Sequence, residues 1–503
     1  MNYDCDISTK VIILPLDSRP CTYDFPVQIA RGGGLTPCVP EMKEMDFFKI
    51  PSVYQDLESW LLQECQDAGY LICCLDQLVY GGLIASRSSG VDEKEALRRI
   101  DVMRRIKKND SDIRILLSSV IMRTSVSTLK KDDLRWWKLI SEYCSLCGEA
   151  GEEEIRRREE ILKLIPTDVM NSFLSTRKRN HGVNLEAIKL VKEGIVEELC
   201  LLQEDSSPKG IHRTEQKELL DYAGQCGVAD RVHLFCGTDE YACAMAGRIA
   251  LESSRPQKQE LYLYIEWLQG DKNFTAKYED RPFSQNLKAY LEACHIIETN
   301  SLADAEAILA IYAPTGAQCD LALNPEKAEC PYTSDQLNEC AERLYFLEKS
   351  GLPVGLLDVV HANGGESTFL RLCAKEGILD HLAAYAGWNT ACNSLGTILG
   401  ELTARKALYA NPDQLDIFTR ERLLDDWIYQ AIVRPKWNEI LEKEGLDRWN
   451  LTDTKKESHR LQTLMEETPE TKLVCHAPFC ACLRWPRTFE VSIRCLVEGK
   501  ERI

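Results

Sequence analysis

The chain lacks a basic excess, a membrane-length apolar run and the common phosphate-loop signatures, and each absence removes a class of function. Its 61 lysines and arginines are outnumbered by 79 aspartates and glutamates, giving a formal net charge of −18. Nucleic acid and anionic membrane both require a basic face, so neither is expected as a partner. No uninterrupted apolar run approaches the ~20 residues that cross a bilayer, so no membrane span is expected. The opening MNYDCDISTK carries two acids and no apolar core, which does not read as a secretory signal. No G-x-x-x-x-G-K-[ST] occurs and no G-x-G-x-x-G follows a strand-like run, which disfavours P-loop and dinucleotide chemistry. G-x-S-x-G is absent, which argues against a serine hydrolase. H-E-x-x-H and H-x-H are absent too.

What the chain does have is acid at the ends of short apolar runs. VIILPLD closes on Asp17, YLICCLD on Asp76, ELCLLQED on Glu204 and Asp205, VHLFCGTDE on Asp239 and Glu240, and VGLLDVV contains Asp358. Each run is followed by turn residues and then a helical pattern, as a parallel strand feeding a crossover helix would be. In open α/β sheets and in barrels the site lies beyond the carboxyl ends of the strands. Acids gathered there point to a multi-carboxylate cleft and to an enzyme.

Strands are expected at 11–16, 35–39, 70–76, 113–121, 197–203 and 231–237, and again at 261–267, 307–313, 354–360 and 382–387. Helices are expected between them, including 91–109, 213–226, 284–294, 334–350 and 366–379. The fold class is α/β, built of two parallel-sheet βα units with a C-terminal helical segment. The first strands can either close into a barrel or lie in open sheets. The domain reading is an N-terminal α/β domain over 1–255 with a helical insertion at about 124–196, a second α/β domain over 256–400, and a mainly helical region over 401–503. The polar, proline-bearing LESSRPQKQE at 251–260 marks the boundary. The charged run EAGEEEIRRREE at 149–160 reads as a solvated helix face. A short terminal β segment is expected at 486–498. Many of the 22 cysteines lie inside apolar runs, Cys73, Cys74, Cys200 and Cys236 among them. Such thiols behave as small hydrophobes in a reducing compartment, and the expected localisation is cytoplasmic.

Several blocks carry a family resemblance: LPLDSRP at 14–20, DQLVYGGLIASR at 76–87, GTDEYACAMAGR at 237–248, DVVHANGGEST at 358–368, AYAGWNTACNSLG at 384–396 and RWPRTFE at 484–490. Together they resemble the uncharacterised bacterial family named domain of unknown function 4127. The resemblance brings little mechanism with it, so the chemistry is argued from the residues.

Glu204-Asp205 and Asp239-Glu240 close successive strand units. Adjacent strands lie about 4.8 Å apart, so carboxylates at their ends fall near the ~5–5.5 Å separation of retaining glycosidases, whereas strands one further apart would leave the ~6.5–9.5 Å gap that admits a water for inversion. Two close carboxyls also drive their pKa values apart, which yields an acid and a base from one residue type. Asp239 or Glu240 is the expected acid, with Glu204 or Asp205 as nucleophile or base. The same acids also suit helix N-caps. Asp17, Asp76, Arg19, Arg87 and Arg123 are expected to bind substrate, with Tyr80 as an aromatic wall beside the turn Gly81-Gly82. Trp388, Asn389 and Asn393 offer an apolar platform with neutral donors and acceptors, suited to a polyhydroxyl ligand.

The expected activity is therefore a glycosidase-like hydrolase acting on a glycan or small molecule. No cofactor is expected for it. Two alternatives stay open. One is a metal-dependent amide or phosphoester hydrolase with Asp358 and His361 holding a divalent ion; the other is a non-catalytic sugar- or metabolite-binding protein. Cys144-x-x-Cys147 and Cys475-His476…Cys480-x-Cys482 match no standard zinc spacing and read as free thiols.

Overall fold

The computed structural model describes residues 9–88, 90–124, 134–148, 151–255 and 257–496. Two parallel sheets organise the chain. The first holds β1 (Lys10–Leu14), β2 (Thr36–Cys38), β3 (Tyr70–Cys74), β4 (Arg114–Ile121), β5 (Glu198–Gln203) and β6 (Val232–Cys236), in the order β2-β1-β3-β4-β5-β6. The second holds β7 (Leu261–Gln269), β8 (Ile296–Thr299), β9 (Ala307–Tyr312), β10 (Val354–Asp358) and β11 (Ala384–Ala386), in the order β8-β7-β9-β10-β11. A short antiparallel hairpin follows, β12 (Phe479–Cys482) with β13 (Ser492–Cys495).

Both sheets are open, so the barrel alternative is not realised. Renumbered from its own first strand, each sheet begins in the same 2-1-3-4-5 order. In this doubly wound arrangement the chain reverses direction between the first and third strands, and the crevice beyond their carboxyl ends is where such folds bind ligands. Strands covered on both faces read as continuous apolar runs. β3 (YLICC) and β9 (AILAIY) are accordingly buried along their whole length. β8 is an edge strand with the sequence IIET, and its Ile297 is 42% exposed. That short, half-wet strand has no apolar run to announce it, and neither β8 nor β12 was expected.

The chain forms two compact units. The first comprises the described residues of Met1–Ser18, Thr36–Ala242 and Tyr278–Arg281; the second comprises those of Arg19–Leu35, Cys243–Lys277 and Pro282–Ile503. In the first, Ile12, Leu71, Leu117 and Leu201 from the strands share a core with Ala187, Leu190 and Leu219 from helices. The helical insertion carries a smaller core of its own, around Ile140, Ile161, Met170 and Phe173. In its helix Glu152–Leu164 only Ile161 is buried, which makes the charged run a solvated face as expected.

In the second unit the C-terminal helices complete the core of the sheet. Leu423, Trp427, Ile428 and Trp437 cluster with Leu356, Phe369 and Tyr385. Helix Ser334–Glu348 starts in a capping box, with Gln336 N donating to Thr333 Oγ1 and Thr333 N donating to Gln336 Oε1. The expected helix over 91–109 is broken into Glu93–Ile100 and Val102–Asn109. The stretch Leu423–Val433 is π-helical, a rare geometry that recurs at functional sites. No described helix is long and apolar enough to cross a membrane.

Candidate functional site

In the first unit the expected acids do lie at the carboxyl ends of the strands. Asp17 follows β1 and is fully buried. Asp76 opens the helix Leu75–Tyr80 directly after β3, and its Oδ2 accepts the Val120 amide of β4 at 2.9 Å. Burial pushes the Asp76 carboxyl up to about 7, against the pull of that amide. Asp46, which no sequence signal picked out, joins this group. It accepts the Ser18 amide at 2.9 Å and presses on Gly82, where a Cβ would meet Asp46 Cγ at 2.9 Å. Gly81 and Gly82 both have positive φ, 83° and 121°, so the expected tight turn is present and needs glycine.

Glu204 and Asp205 leave β5 together but are held differently. The Arg87 guanidinium pairs with Glu204, whose Oε2 also accepts the Arg123 amide at 3.1 Å. The Arg123 guanidinium pairs with Asp205. Glu204 is 4% exposed and Asp205 35%, so only the second is open to a ligand. The surrounding protein raises the Asp205 pKa, which the Arg123 charge opposes and the Glu204 charge reinforces. Burial lowers the Arg87 pKa, with the Glu204 carboxylate acting against it. Asp239 and Glu240 follow β6, the direct neighbour of β5 in the sheet. Thr238 Oγ1 donates to Asp239 Oδ1 at 3.1 Å, and both acids are buried.

Two arginines of the insertion helix Thr167–Lys192 brace this rim. Arg177 donates to the Arg123 carbonyl at 2.8 Å and pairs with Glu215. Arg179 donates to the carbonyls of Ser86 at 2.6 Å and Val91 at 2.9 Å. Their signal in sequence is an R-x-R-N run on a helix, which looks like any solvated basic turn until its burial is known. Arg179 also lies 4.3 Å over the Tyr80 ring. Tyr80 is 3% exposed, so its faces are packed by protein rather than open as a wall for a sugar. Arg19 caps the helix Pro20–Gly32 in the second unit, with its guanidinium 5.5 Å from the Trp485 ring.

The second unit gathers its own polar cluster at the ends of β10 and β11. Asp358 Oδ2 accepts the Glu366 amide at 2.6 Å and Oδ1 the Val360 amide at 3.3 Å. Burial pushes this carboxyl up to about 8. Glu366 in turn caps the helix Ser367–Lys375, accepting the amides of Thr368 and Phe369 at 2.8 Å each. Asp358 is thus engaged in shaping the loop. Among the described residues, Asp358 and His361 belong to no group of three ligand atoms close enough to hold a metal. Burial lowers the His361 pKa, and the Glu366 charge opposes it. Its Nδ1 has no hydrogen-bond partner, and the ring lines a cavity of about 650 Å³ together with Glu366, Thr368, Arg371 and Lys436.

Trp388 is 3% exposed and packs 5.8 Å from Phe489, so it too is a packing residue rather than an open platform. Asn389 takes a left-handed backbone, φ 73°, and its Oδ1 accepts the Thr390 amide at 3.0 Å. Asn393 lies on the first turn of helix Ala391–Arg405 and is buried. The turn bearing Trp388 is held from the π-helical stretch, where Asp426 Oδ2 accepts the Gly387 amide at 3.0 Å. Arg422 pairs with both Asp425 and Asp426. Sequence reasoning passed over these two acids because they sit mid-helix in an amphipathic pattern.

The model of a family described as "Protein of unknown function (DUF4127)" matches residues 11–494. The chain belongs to this family. No curated protein matches it.

Proposed function

We propose that this member of the DUF4127 family is a carbohydrate-active hydrolase that cleaves a glycosidic bond with carboxyls on the adjacent strand ends of β5 and β6. The observation that carries the reading is the adjacency of β5 and β6, which sets the partly exposed Asp205 next to the strand end that bears Asp239. A general acid must hold its proton near neutral pH, and a second carboxylate must stay available as nucleophile or base. In this reading Asp205 protonates the glycosidic oxygen. Asp239 attacks the anomeric carbon or deprotonates the attacking water. Glu204, buried between Arg87 and the Arg123 amide, positions the pair. These roles exchange the acid and the base expected from sequence. Cysteines buried inside apolar strands, such as Cys73 and Cys74 of β3, support a reducing, cytoplasmic setting.

The test is turnover of a panel of aryl glycosides by the wild type, Asp205→Asn and Asp239→Asn. Asp205→Asn should lose turnover of substrates with poor leaving groups and keep it for activated ones, because only the former need the acid. Asp239→Asn should lose both and recover with added azide. Wild-type turnover in both variants, or no cleavage of any glycoside by the wild type, sinks the reading.

A further inference from the structure

We infer that Cys475 and Cys495 are a peroxide-reactive dithiol, an oxidative modification site that closes to a disulfide. Their sulfurs lie 3.7 Å apart. Cys475 ends the short helix Thr471–Val474, and Cys495 ends β13, opposite Phe479 of β12. The hairpin between them is tied by its own ladder, and Leu496 N donates to the Pro478 carbonyl at 2.7 Å. The two cysteines are therefore presented to each other by a fixed scaffold. Bond formation needs the sulfurs to close from 3.7 Å to ~2.05 Å.

The surroundings give the two thiols different roles. Helix Pro412–Arg422 sends Arg420 to the Val474 carbonyl at 3.1 Å, and Glu421 to the Cys495 amide at 2.9 Å. A cation thus stands on the residue before Cys475 and an anion on the amide of Cys495, and each charge acts on both thiols. The contact with the Cys495 thiol, helped by the Ala477 backbone and the Arg420 charge and opposed by burial and Glu421, brings Cys475 down to about 7; the same contact and burial push Cys495 up. Cys475 is the attacking thiolate and Cys495 the resolving thiol.

The chemistry balances with hydrogen peroxide as the oxidant. The Cys475 thiolate attacks one peroxide oxygen, the O–O bond breaks, and water leaves after protonation, giving a sulfenic acid. Cys495 sulfur then attacks the Cys475 sulfur; the S–S bond forms, the S–O bond breaks, and a second water leaves. Two thiols are oxidised and one peroxide is reduced. The disulfide joins the end of Thr471–Val474 to β13 and closes a loop around the hairpin. This site is independent of the hydrolase reading and stands or falls without it.

The experiment treats the reduced full chain with one equivalent of hydrogen peroxide, alkylates the remaining thiols and maps the peptides. The expected result is a Cys475–Cys495 linked pair lacking two hydrogens and reversed by dithiothreitol. In Cys495→Ser the linkage should vanish and Cys475 should become reactive towards a sulfenic-acid probe. Both thiols remaining alkylatable while the exposed Cys480 takes up the oxidant would overturn the inference. So would a Cys475 link to Cys480 or Cys482. Should Cys495→Ser fail to fold, alkylation rates of the native wild type at neutral pH decide instead: Cys475 must react faster than the half-buried Cys482, and the reverse order overturns the assignment.

Discussion

The Arg87 guanidinium pairs with the Glu204 carboxylate, and both side chains are largely withdrawn from water, 12% and 4% exposed. Removing one partner of a buried pair leaves an uncompensated charge, which costs about 3–5 kcal/mol, whereas removing both is close to neutral. Arg87→Met leaves Glu204 with Arg123, whose Nη1 lies 3.6 Å away, as its remaining cation, so the denaturation midpoint should fall by less than that full cost, and Arg87→Met with Glu204→Gln should recover most of it. A double-mutant cycle in urea measures the coupling. Additive losses in the two single variants would mean that the pair carries no such interaction.

Gly82 sits at φ 121° with the Asp46 carboxylate against it. Alanine there meets strain from the backbone and from the carboxylate at once, and a loss of about 1–3 kcal/mol is expected. Asp46→Ala should relieve only the steric part, so Gly82→Ala in that background should still be destabilised. Thermal denaturation of the three variants checks this. A Gly82→Ala variant as stable as wild type would show that the turn relaxes freely.

Asp358 gives the second unit a pH-dependent stability. Its pKa is ~3.9 in an unfolded chain and about 8 when folded. Between those values the folded state keeps a proton that the unfolded state has released. The contribution of Asp358 is therefore complete below about pH 4 and declines towards pH 8, by up to about 1.4 kcal/mol per unit. Asparagine at 358 can still accept a backbone amide but cannot titrate. Stability measured from pH 4 to 8 should fall in the wild type and fall less steeply in Asp358→Asn, since Asp76, Glu348, Glu401 and Asp426 are raised into the same window. Parallel curves would assign the pH dependence elsewhere.

The parallel strands were legible because burial on both faces leaves an unbroken apolar signature, as in AILAIY of β9 and YLICC of β3. The acids at their ends were legible for the same reason, since each follows such a run. β8 was not, because an edge strand of four residues carries no such run. Asp46, Arg177, Arg179 and Asp426 were not legible either. Each reaches its partner across a long sequence separation, 28 residues from Asp46 to Ser18 and 54 from Arg177 to Arg123. Aromatic type alone also misled: Tyr80 was expected as an aromatic wall and Trp388 as an apolar platform, and both are 3% exposed.

Arg123 offers a test that reads the acid itself. Its guanidinium is paired with Asp205 and opposes the burial that raises this carboxyl. An opposite charge favours the ionised form, so Arg123→Met should raise the Asp205 pKa further. An acid with a higher pKa stays protonated to higher pH. The alkaline limb of kcat/KM, which follows loss of that proton in the free enzyme, should move upward by on the order of 1 pH unit. A pH–rate profile on a glycoside with a poor leaving group distinguishes this from a folding defect, which would lower the whole profile without displacing it. An alkaline limb that stays in place while kcat/KM falls would remove Asp205 from the role of acid, and would point to Asp76, whose carboxyl is already held up to about 7.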